Sequence, residues 1–290
     1  MLRAELEEAL DTYLSVREAE GLRETTLTNY RTLVGVLLKW LGDRELTPFT
    51  FAGFFKDYRQ DHAVASQQAV YNATSIFLKG IGESDLMGTM RRPRGEIPPK
   101  AIYSPGQLQA LTRALKGDRT VAGLRDSAIV SLLRYCGLRA SETCNLRLDD
   151  LLGQEEAVQV TGGKSRHARR TVPLVDPCPQ VLATYLSRGR PHLVKGLFSS
   201  HLFLTVKDGQ PMTRNTLRLM LRRRAEQVGF PISAHRFRHT WATVHARSRT
   251  NPAMIGQLAG WSPKTLYTML SQYAHPDISD LREAQRKAFE

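Results

Sequence analysis

The sequence predicts a protein that is mainly α-helical with a small β-sheet, divided into an N-terminal helical unit and a C-terminal mixed α/β unit. Three observations predict this division. The first ninety residues carry apolar side chains at helical spacing. Residues 91–105 then hold four prolines and four basic side chains, a composition that does not continue a helix. Beyond them, two short β-prone runs interrupt an otherwise helical pattern.

Four helices are predicted in the first ninety residues. The apolar stripe of the first helix ends before Gly21 and consists of Leu6, Leu10, Tyr13 and Leu14. Thr25 or Thr26 is the expected cap of the second helix. Two further helices are expected over about 48–60 and 66–80. Together they predict a compact four-helix domain covering residues 1–90.

A basic, proline-rich linker is predicted over residues 91–102. A basic linker suits a protein that wraps around a duplex, and an ordinary solvated connector fits the composition equally well. The second domain then covers residues 103–290. In it, the β-prone runs Ala157–Thr161 and Arg170–Leu174 flank two glycines, which predicts a hairpin.

Helix boundaries in the second domain are marked by capping and breaking residues. Ser104 and Pro105 predict the start of one helix. Another is expected from about residue 123 to residue 136, with Gly137 closing it. Helical segments occupy most of the chain after residue 178, so the second domain is predicted to be mainly α with a small sheet.

Positive charge is concentrated in the second domain. Residues 1–92 hold 11 basic and 13 acidic side chains (net −2), whereas residues 93–290 hold 30 and 15 (net +15). A basic excess in one part of a chain indicates a polyanionic partner, since neutralised phosphates release counterions. Charge alone also fits a basic protein without such a partner.

Composition argues against a membrane protein and against a disulfide framework. No apolar run reaches the roughly 18 residues of a membrane-spanning helix. The N-terminus is acidic and lacks the pattern of a secretory signal. Cys136, Cys144 and Cys178 form no CxxC pair. These features predict a cytoplasmic protein in a reducing compartment.

Two short segments carry side chains suited to an anionic ligand. Arg139 follows a glycine and precedes Glu142 by three positions, so the carboxylate can orient the guanidinium. A solvated surface pair is the alternative for this spacing. At the predicted hairpin tip, Lys164 follows two glycines that let the backbone approach a ligand closely. A plain turn is the alternative there, and the spacing of a nucleotide-binding P-loop is absent.

A third segment places His235 and Arg238 on one face of a predicted helix. His235 and His239 are four positions apart, a spacing that also occurs in zinc sites. No Glu follows the first His, and the arginines at 236 and 238 would repel a cation. We therefore predict no metal, and the adjoining guanidinium favours an anion site.

The fourth segment is Leu-Ala-Gly-Trp, which ends at Trp261. Ser262 and Pro263 predict the start of a helix that carries Tyr267 and Tyr273. Taken alone, a tryptophan and tyrosines near a C-terminus are most often core or interface residues. Their meaning depends on the other three segments.

The order of the four segments resembles the tyrosine recombinase or phage integrase family. GLRxSE, GGK with a basic stretch and VPL, HRFRHTWAT, LAGW and YAH follow one another as in that family. The resemblance covers about residues 103–275 at motif level. The N-terminal helices look like the family's core-binding (SAM-like) domain. The resemblance implies that residues 103–290 form a catalytic domain of the tyrosine recombinase type.

Six positions match the family's active-site positions, and Glu142 matches a supporting acidic position. The six are Arg139, Lys164, His235, Arg238, Trp261 and Tyr273. Trp261 stands where the family often has His, and its indole N–H can also donate to a phosphate oxygen. Trp261 and Tyr273 lie 12 positions apart, about three more than in the family pattern. Tyr267 is therefore the alternative nucleophile, although the Ala-His after Tyr273 favours Tyr273.

The resemblance implies a site-specific DNA recombinase that cleaves and rejoins strands through a 3′-phosphotyrosyl intermediate, without metal, ATP or other cofactor. Two alternatives remain, the first sharing the chemistry and the second sharing the fold. One is a type IB topoisomerase-like strand transferase, and the other is a catalytically silent DNA-binding protein. Covalent protein–DNA adducts would separate an enzyme from a silent binder.

Double-stranded DNA is the predicted partner, and a cytoplasmic, nucleoid-associated location goes with it. Arg214, Arg218 and Arg222 recur every four residues on one predicted helix, and Arg166 lies in the basic stretch after the glycines. These four are candidate DNA contacts, with a solvated charge stripe as the alternative. The resemblance also implies a tetramer on DNA in which C-terminal tails are exchanged. Docking of each tail on its own domain is the alternative.

Overall fold

The computed structural model contains two compact units, Met1–Pro98 and Pro99–Glu290. It describes residues 1–96, 101–161, 169–196, 199–248 and 250–273, with Ile278, Arg282, Gln285, Arg286 and Phe289. The side chains of residues 270–273 lie outside this description. Helices dominate, and one small sheet accompanies them, which confirms the predicted fold class.

The N-terminal unit consists of four helices and a 3-10 turn. They are α1 (Arg3–Ala19), α2 (Glu24–Leu41), α3 (Pro48–Asp61), α4 (Val64–Gly80) and the turn Ser84–Met87. The predicted stripe of α1 is its buried face, and Phe51, Phe54 and Phe77 belong to the same core. This shared core stabilises helices that would be marginal in isolation.

The helix starts follow from local capping, with one correction. The Thr47 hydroxyl accepts the N–H of Thr50 at 3.2 Å, and Pro48 occupies the first turn of α3. The prediction that Thr25 or Thr26 caps α2 is wrong. That helix already begins at Glu24, whose negative charge in the first turn complements the helix dipole.

The described part of the proline-rich stretch, residues 91–96, has no regular secondary structure. It lies along α4. The side-chain amide of Gln68 donates to the Pro93 carbonyl at 2.9 Å, and Arg92 donates to the Gln68 side chain at 2.8 Å. Since proline cannot donate a backbone hydrogen bond, these contacts come from side chains instead.

The C-terminal unit holds eight further α-helices and three strands among its described residues, besides short 3-10 and π-helical turns. In chain order they are α5 (Pro105–Gly117), α6 (Val121–Tyr135), α7 (Ala140–Asn145), β1 (Leu151–Leu152), β2 (Ala157–Thr161), β3 (Arg169–Pro173), α8 (Cys178–Thr184), α9 (Arg214–Val228), α10 (Ala234–Arg247), α11 (Pro252–Ala259) and α12 (Pro263–Tyr273). The strands form one antiparallel sheet in the order β1-β2-β3, with Thr161 opposite Arg169. The predicted hairpin of β2 and β3 is confirmed, while its tip, residues 162–168, lies outside the described residues.

Helix α6 lies at the centre of the second core. Ile129, Leu132 and Leu133 are each exposed by no more than 1%, and α5, α8 and α10 pack against this helix. A helix that is apolar on most sides is stable only when it is surrounded in this way. The chain leaves α6 at Cys136 and reaches Arg139 three residues later, so the core positions that arginine.

A buried ion network joins α6 to α9. Asp126 accepts from Arg125 at 2.7 Å and from Arg224 at 2.9 Å, and Arg224 also contacts Asp118 at 2.8 Å. An unpaired charge in this position would be costly, so the charges stabilise the fold only together. The sequence pattern did not single out this network.

The three cysteines are free thiols inside the C-terminal unit. Burial raises the pKa of Cys144 to about 11, which keeps that thiol protonated at neutral pH. None of the described helices is long and apolar enough to cross a membrane. Nor does any group of three metal-binding side chains occur among the described residues.

Candidate active site

Glu142 is the buried anion around which the site is organised. Its side chain is 1% exposed. Oε2 accepts the backbone N–H of Arg139 at 2.8 Å, and Oε1 accepts Nη1 of Arg139 at 2.6 Å. Arg170 of β3 donates hydrogen bonds to the same two oxygens, from Nη1 to Oε1 at 3.0 Å and from Nη2 to Oε2 at 2.8 Å. One carboxylate therefore holds two guanidinium groups, and Arg170 binds it in bidentate geometry.

The C-terminal end of α11 is a second anchor for guanidinium groups. Three successive carbonyls accept hydrogen bonds from three arginines, and the Ala259 carbonyl also accepts from Arg139 at 3.5 Å. The pairs are Leu258 with Arg170 at 2.8 Å, Ala259 with Arg238 at 2.6 Å and Gly260 with Arg139 at 3.4 Å. The last carbonyls of a helix lack intrahelical partners and carry the negative end of its dipole, so they attract cations. The Leu-Ala-Gly-Trp segment thus contributes through its backbone as well as through Trp261.

Two glycines allow these close contacts. Gly137 has φ +60°, and a Cβ there would lie 2.5 Å from the Trp241 ring. Its carbonyl accepts from Nη1 of Arg238 at 2.7 Å. Gly260 ends α11 at φ +62°, and a Cβ there would lie 3.0 Å from Nη1 of Arg170. A side chain at either position would strain the backbone and displace a group of the site.

The cluster has an excess of positive charge. Arg139, Arg170 and Arg238 face the single carboxylate of Glu142, so two positive charges remain unbalanced. Burial alone would raise the pKa of Glu142, but Arg170, and after it Arg139, lower it to about 2. For Arg238, which is 6% exposed, burial and the nearby Arg139 lower the pKa to about 9. Such an arrangement is preorganised for an anionic ligand.

Helix α10 carries Arg238, whose guanidinium lies at this site, and His235 one turn before it. The guanidinium of Arg238 lies 5.2 Å from the ring centroid of Trp261. Nε2 of His235 lies 2.6 Å from Nε2 of His239, which is buried. Only one of two nitrogens in such a contact can carry the proton, so at least one imidazole is neutral.

Comparison with known families decides the class of this protein. The sequence model of the phage integrase family matches residues 103–279, more than half of the chain. The chain belongs to the phage integrase family. Its relatives include tyrosine recombinase XerD of Corynebacterium glutamicum, which is 30% identical over 300 residues that cover 96% of this chain and 95% of the relative. This phage integrase family member is thus an enzyme of the tyrosine recombinase class.

Solved structures agree on the fold. The Tn1549 transposon integrase in complex with transposon right end DNA superposes with a TM-score of 0.75 at 18% identity, over 100% of both chains. A lambda integrase tetramer bound to a Holliday junction gives a TM-score of 0.70 at 15% identity, over 94% of this chain and 79% of that chain. At these identities the likeness shows the fold of the integrase family and no more.

For three predicted site residues, the side chains lie outside the described part of the structure. Lys164 and Arg166 lie within residues 162–168, outside the described residues. Tyr273 is the last residue of α12, and its side chain is outside the description. Tyr267 lies on the same helix with a side chain that is 80% exposed. Helix α12 packs against α10 and α11, which carry Arg238 and the arginine-binding carbonyls.

The predicted basic face of α9 points to solvent. Arg214, Arg218 and Arg222 are exposed, whereas Leu217, Met220 and Leu221 are buried. Arg218 donates to the Asn215 side chain at 3.0 Å, and Arg222 lies 3.8 Å from Glu226. The periodicity of the helix therefore predicted its two faces correctly.

Motif spacing missed Arg170, although it contacts both anchors of this integrase site. The arginine stands beside Arg169 in the basic stretch before Val-Pro-Leu. Strand periodicity was the available signal. Arg170 is two positions before the buried Val172 and shares its face of β3, while Arg169 lies on the exposed face.

Proposed function

We propose that this recombinase cleaves a DNA strand with Tyr273 and holds it as a 3′-phosphotyrosyl ester before rejoining it. The cluster of Arg139, Arg170 and Arg238 around Glu142 and the end of α11 carries the proposal. A phosphodiester in transfer develops charge on its non-bridging oxygens, which preorganised guanidinium groups stabilise. The family match and the tyrosine recombinase relatives support the same class of reaction.

In the proposed first step, the phenol oxygen of Tyr273 bonds to phosphorus, and the bond to the 5′ oxygen of the next nucleotide breaks. His235 accepts the phenol proton, since a tyrosine with a reference pKa near 10 is mostly protonated at neutral pH. Lys164 donates a proton to the leaving 5′ oxygen. A 5′-hydroxyl of another strand then attacks the ester and releases Tyr273. One ester replaces another at each step, so ATP is not required.

Two arginines take different parts in the proposed site. The Arg139 side chain is 36% exposed and can reach an arriving phosphate while Glu142 holds it. Arg238 is buried, and with a pKa of about 9 it remains a cation at neutral pH. Trp261 adds a neutral N–H donor. The guanidinium groups supply the positive charge that phosphoryl transfer needs, so the proposal assigns no metal ion.

We extend the proposal to DNA binding and assembly. Residues 1–90 serve as the core-binding domain, 91–102 as the linker and 103–290 as the catalytic domain. The exposed arginines of α9 and Arg166 contact double-stranded DNA. We propose that four protomers assemble on DNA and exchange their C-terminal tails; the lambda integrase that shares the fold is a tetramer bound to a Holliday junction in its solved structure. A recombinase that acts on double-stranded DNA in this way would be located in the cytoplasm, in association with the nucleoid.

Adduct mapping tests the proposed chemistry. The full-length protein is incubated with fragmented genomic DNA, denatured, and the covalently attached fragments are sequenced. A duplex built from the recovered site, nicked next to the cleavage position, should then accumulate a 3′-phosphotyrosyl adduct with a free 5′-hydroxyl. DNA binding without adducts would show a silent DNA-binding protein. If the protein relaxes supercoiled circular DNA but forms no recombinant products, it is a topoisomerase instead.

A further inference from the structure

Arg170 is the most completely bonded arginine of the site. Its Nη1 and Nη2 bind the two oxygens of Glu142, and its Nε binds the Leu258 carbonyl. All three nitrogens are therefore engaged, and the side chain is only 9% exposed. With each of these nitrogens bonded inside the protein, Arg170 is suited to orient its neighbours and to add positive charge to the cluster.

We propose that Arg170 is a positioning residue for the two arginines that bind the phosphate. The inference rests on the proposed function and adds a residue to it. Both anchors of Arg170 are shared. Glu142 also holds Arg139, and the carbonyls that follow Leu258 hold Arg238 and Arg139. Arg170 thus fixes the carboxylate and the end of α11 against β3, and both phosphate-binding arginines take their orientation from these two groups.

Charge gives Arg170 a second effect. With Arg170 present, Glu142 is shared between two guanidinium groups, and the cluster keeps two unbalanced positive charges. Without it, Arg139 and Arg238 would face the carboxylate alone, and one unbalanced charge would remain. The carboxylate would also be free to turn, because it would lose the bidentate partner that holds both its oxygens. The phosphate would then be bound by a cluster with less positive charge, and the guanidinium groups of that cluster would be less well oriented.

The geometry requires arginine at this position. A planar guanidinium can bind both carboxylate oxygens and still direct Nε at a carbonyl, whereas a lysine offers one mobile ammonium. Arg170→Lys keeps the charge and loses the fork, and Arg170→Gln loses both. A positioning role therefore predicts a graded series, with wild type faster than the Lys variant and the Lys variant faster than the Gln variant.

Arg224 provides a matched control. It is also a buried arginine, with 6% side-chain exposure, and it contacts Asp118 and Asp126 at 2.8 Å. None of its recorded contacts is with Glu142 or with residues 258–260. Arg224→Gln and Arg224→Lys should therefore reproduce the loss of stability from breaking a buried ion pair without disturbing the phosphate-binding arginines.

The experiment compares the four variants in thermal unfolding, DNA affinity and the single-turnover rate of adduct formation at saturating DNA. We expect Arg170→Gln to slow adduct formation by about 100-fold, the effect of a small misplacement at a reacting centre. DNA affinity should change by less than about threefold. The Arg224 variants should unfold at lower temperature yet keep the wild-type rate. Equal rates for the Arg170 and Arg224 variants would overturn the proposal. If Arg170→Gln does not fold, the rates of Arg170→Lys and Arg224→Lys provide the same test.

Two further measurements test whether Arg170 affects the rate of adduct formation through Arg139. In an Arg139→Ala background, adding Arg170→Gln should cost much less than it does in the wild type, since effects that pass through one group are not additive. A crystal structure of Arg170→Gln should show the 2.6 Å contact of Arg139 with Glu142 broken or re-aimed. An unchanged contact would overturn the positioning role whether or not the wild type forms adducts. Absence of adducts from the wild type on bound DNA would instead overturn the proposed function.

Discussion

At the scale of single residues, the candidate site depends on groups that cannot be changed independently. The Glu142 side chain is only 1% exposed, yet it orients Arg139 and binds Arg170. Arg238 is buried between two backbone carbonyls and the face of Trp261. Removing one member changes the charge balance of the cluster and breaks hydrogen bonds that orient the others.

The pH dependence of stability should report on Glu142. Its pKa is about 2 in the folded protein against an ordinary 4.5. Because the folded-state pKa is the lower one, the ionised carboxylate stabilises the fold above pH 4.5, and this contribution is lost as the pH falls towards 2. We expect the difference in unfolding free energy between wild type and Glu142→Gln to be constant at neutral pH and to shrink in acid, by on the order of 3 kcal/mol in all.

Chemical denaturation at a series of pH values measures this difference. Glu226→Gln is the matched control, because Glu226 is an exposed partner of Arg222. A Glu142→Gln difference that stays level down to pH 3 would show that the carboxylate is not held ionised by the two arginines.

The nucleophile can be assigned by removing one oxygen atom. Tyr273→Phe should abolish adduct formation while folding and DNA affinity survive, because only the attacking atom is lost. Tyr267→Phe is the control on the same helix and should retain adducts. Gel analysis of denatured protein–DNA complexes distinguishes the two. Adducts from Tyr273→Phe together with none from Tyr267→Phe would make Tyr267 the nucleophile.

At the scale of elements, helix ends and strand faces decide which side chains meet. The C-terminal turn of α11 gathers three arginines from β3, α10 and the start of α7, because its last carbonyls have no partners of their own. Helix α9 shows the opposite case. Its arginines face solvent and can serve a partner that arrives from outside.

Salt dependence tests the role of α9. If Arg218 contacts a DNA phosphate, Arg218→Ala should weaken binding and flatten the slope of log K against log salt by about one unit. Arg113 on α5, also exposed, gives the control variant Arg113→Ala. Binding measured at several salt concentrations distinguishes the two. A slope unchanged by Arg218→Ala would place that side chain in solvent in the complex.

At the scale of the whole molecule, the C-terminal tail should link catalysis to assembly. Ile278 and Phe289 are 67% and 82% exposed, so these apolar side chains are not covered by their own chain. A short helix is marginal alone and gains stability by burying such side chains on a partner. We expect deletion of residues 277–290 to reduce synapsis and recombination by at least about tenfold while single-site binding persists.

Mobility-shift assays on one-site and two-site DNA separate these effects. The full-length protein is the reference at matched concentrations. Normal synapsis and recombination by the truncated protein would assign the tail no role in assembly.

Local sequence patterns were sufficient to predict many elements of this protein. Apolar periodicity placed the four N-terminal helices and both faces of α9, since a helix repeats every 3.6 residues whatever its neighbours are. Capping residues marked the start of α5, and β-prone runs around glycines marked the hairpin. The order of short motifs identified the family. It also singled out Arg139 and Arg238, whose guanidinium groups both lie at the end of α11.

Only the tertiary structure decided which neighbouring side chains became partners. Helical spacing puts Arg224 on the same face of α9 as Leu217 and Leu221, but it does not show that the partner of Arg224 is Asp126, which lies 98 positions away in sequence. Likewise, Arg170 meets Glu142 across 28 positions and Leu258 across 88. Local patterns report the face on which a side chain lies, whereas a buried charge is fixed by the distant group that neutralises it.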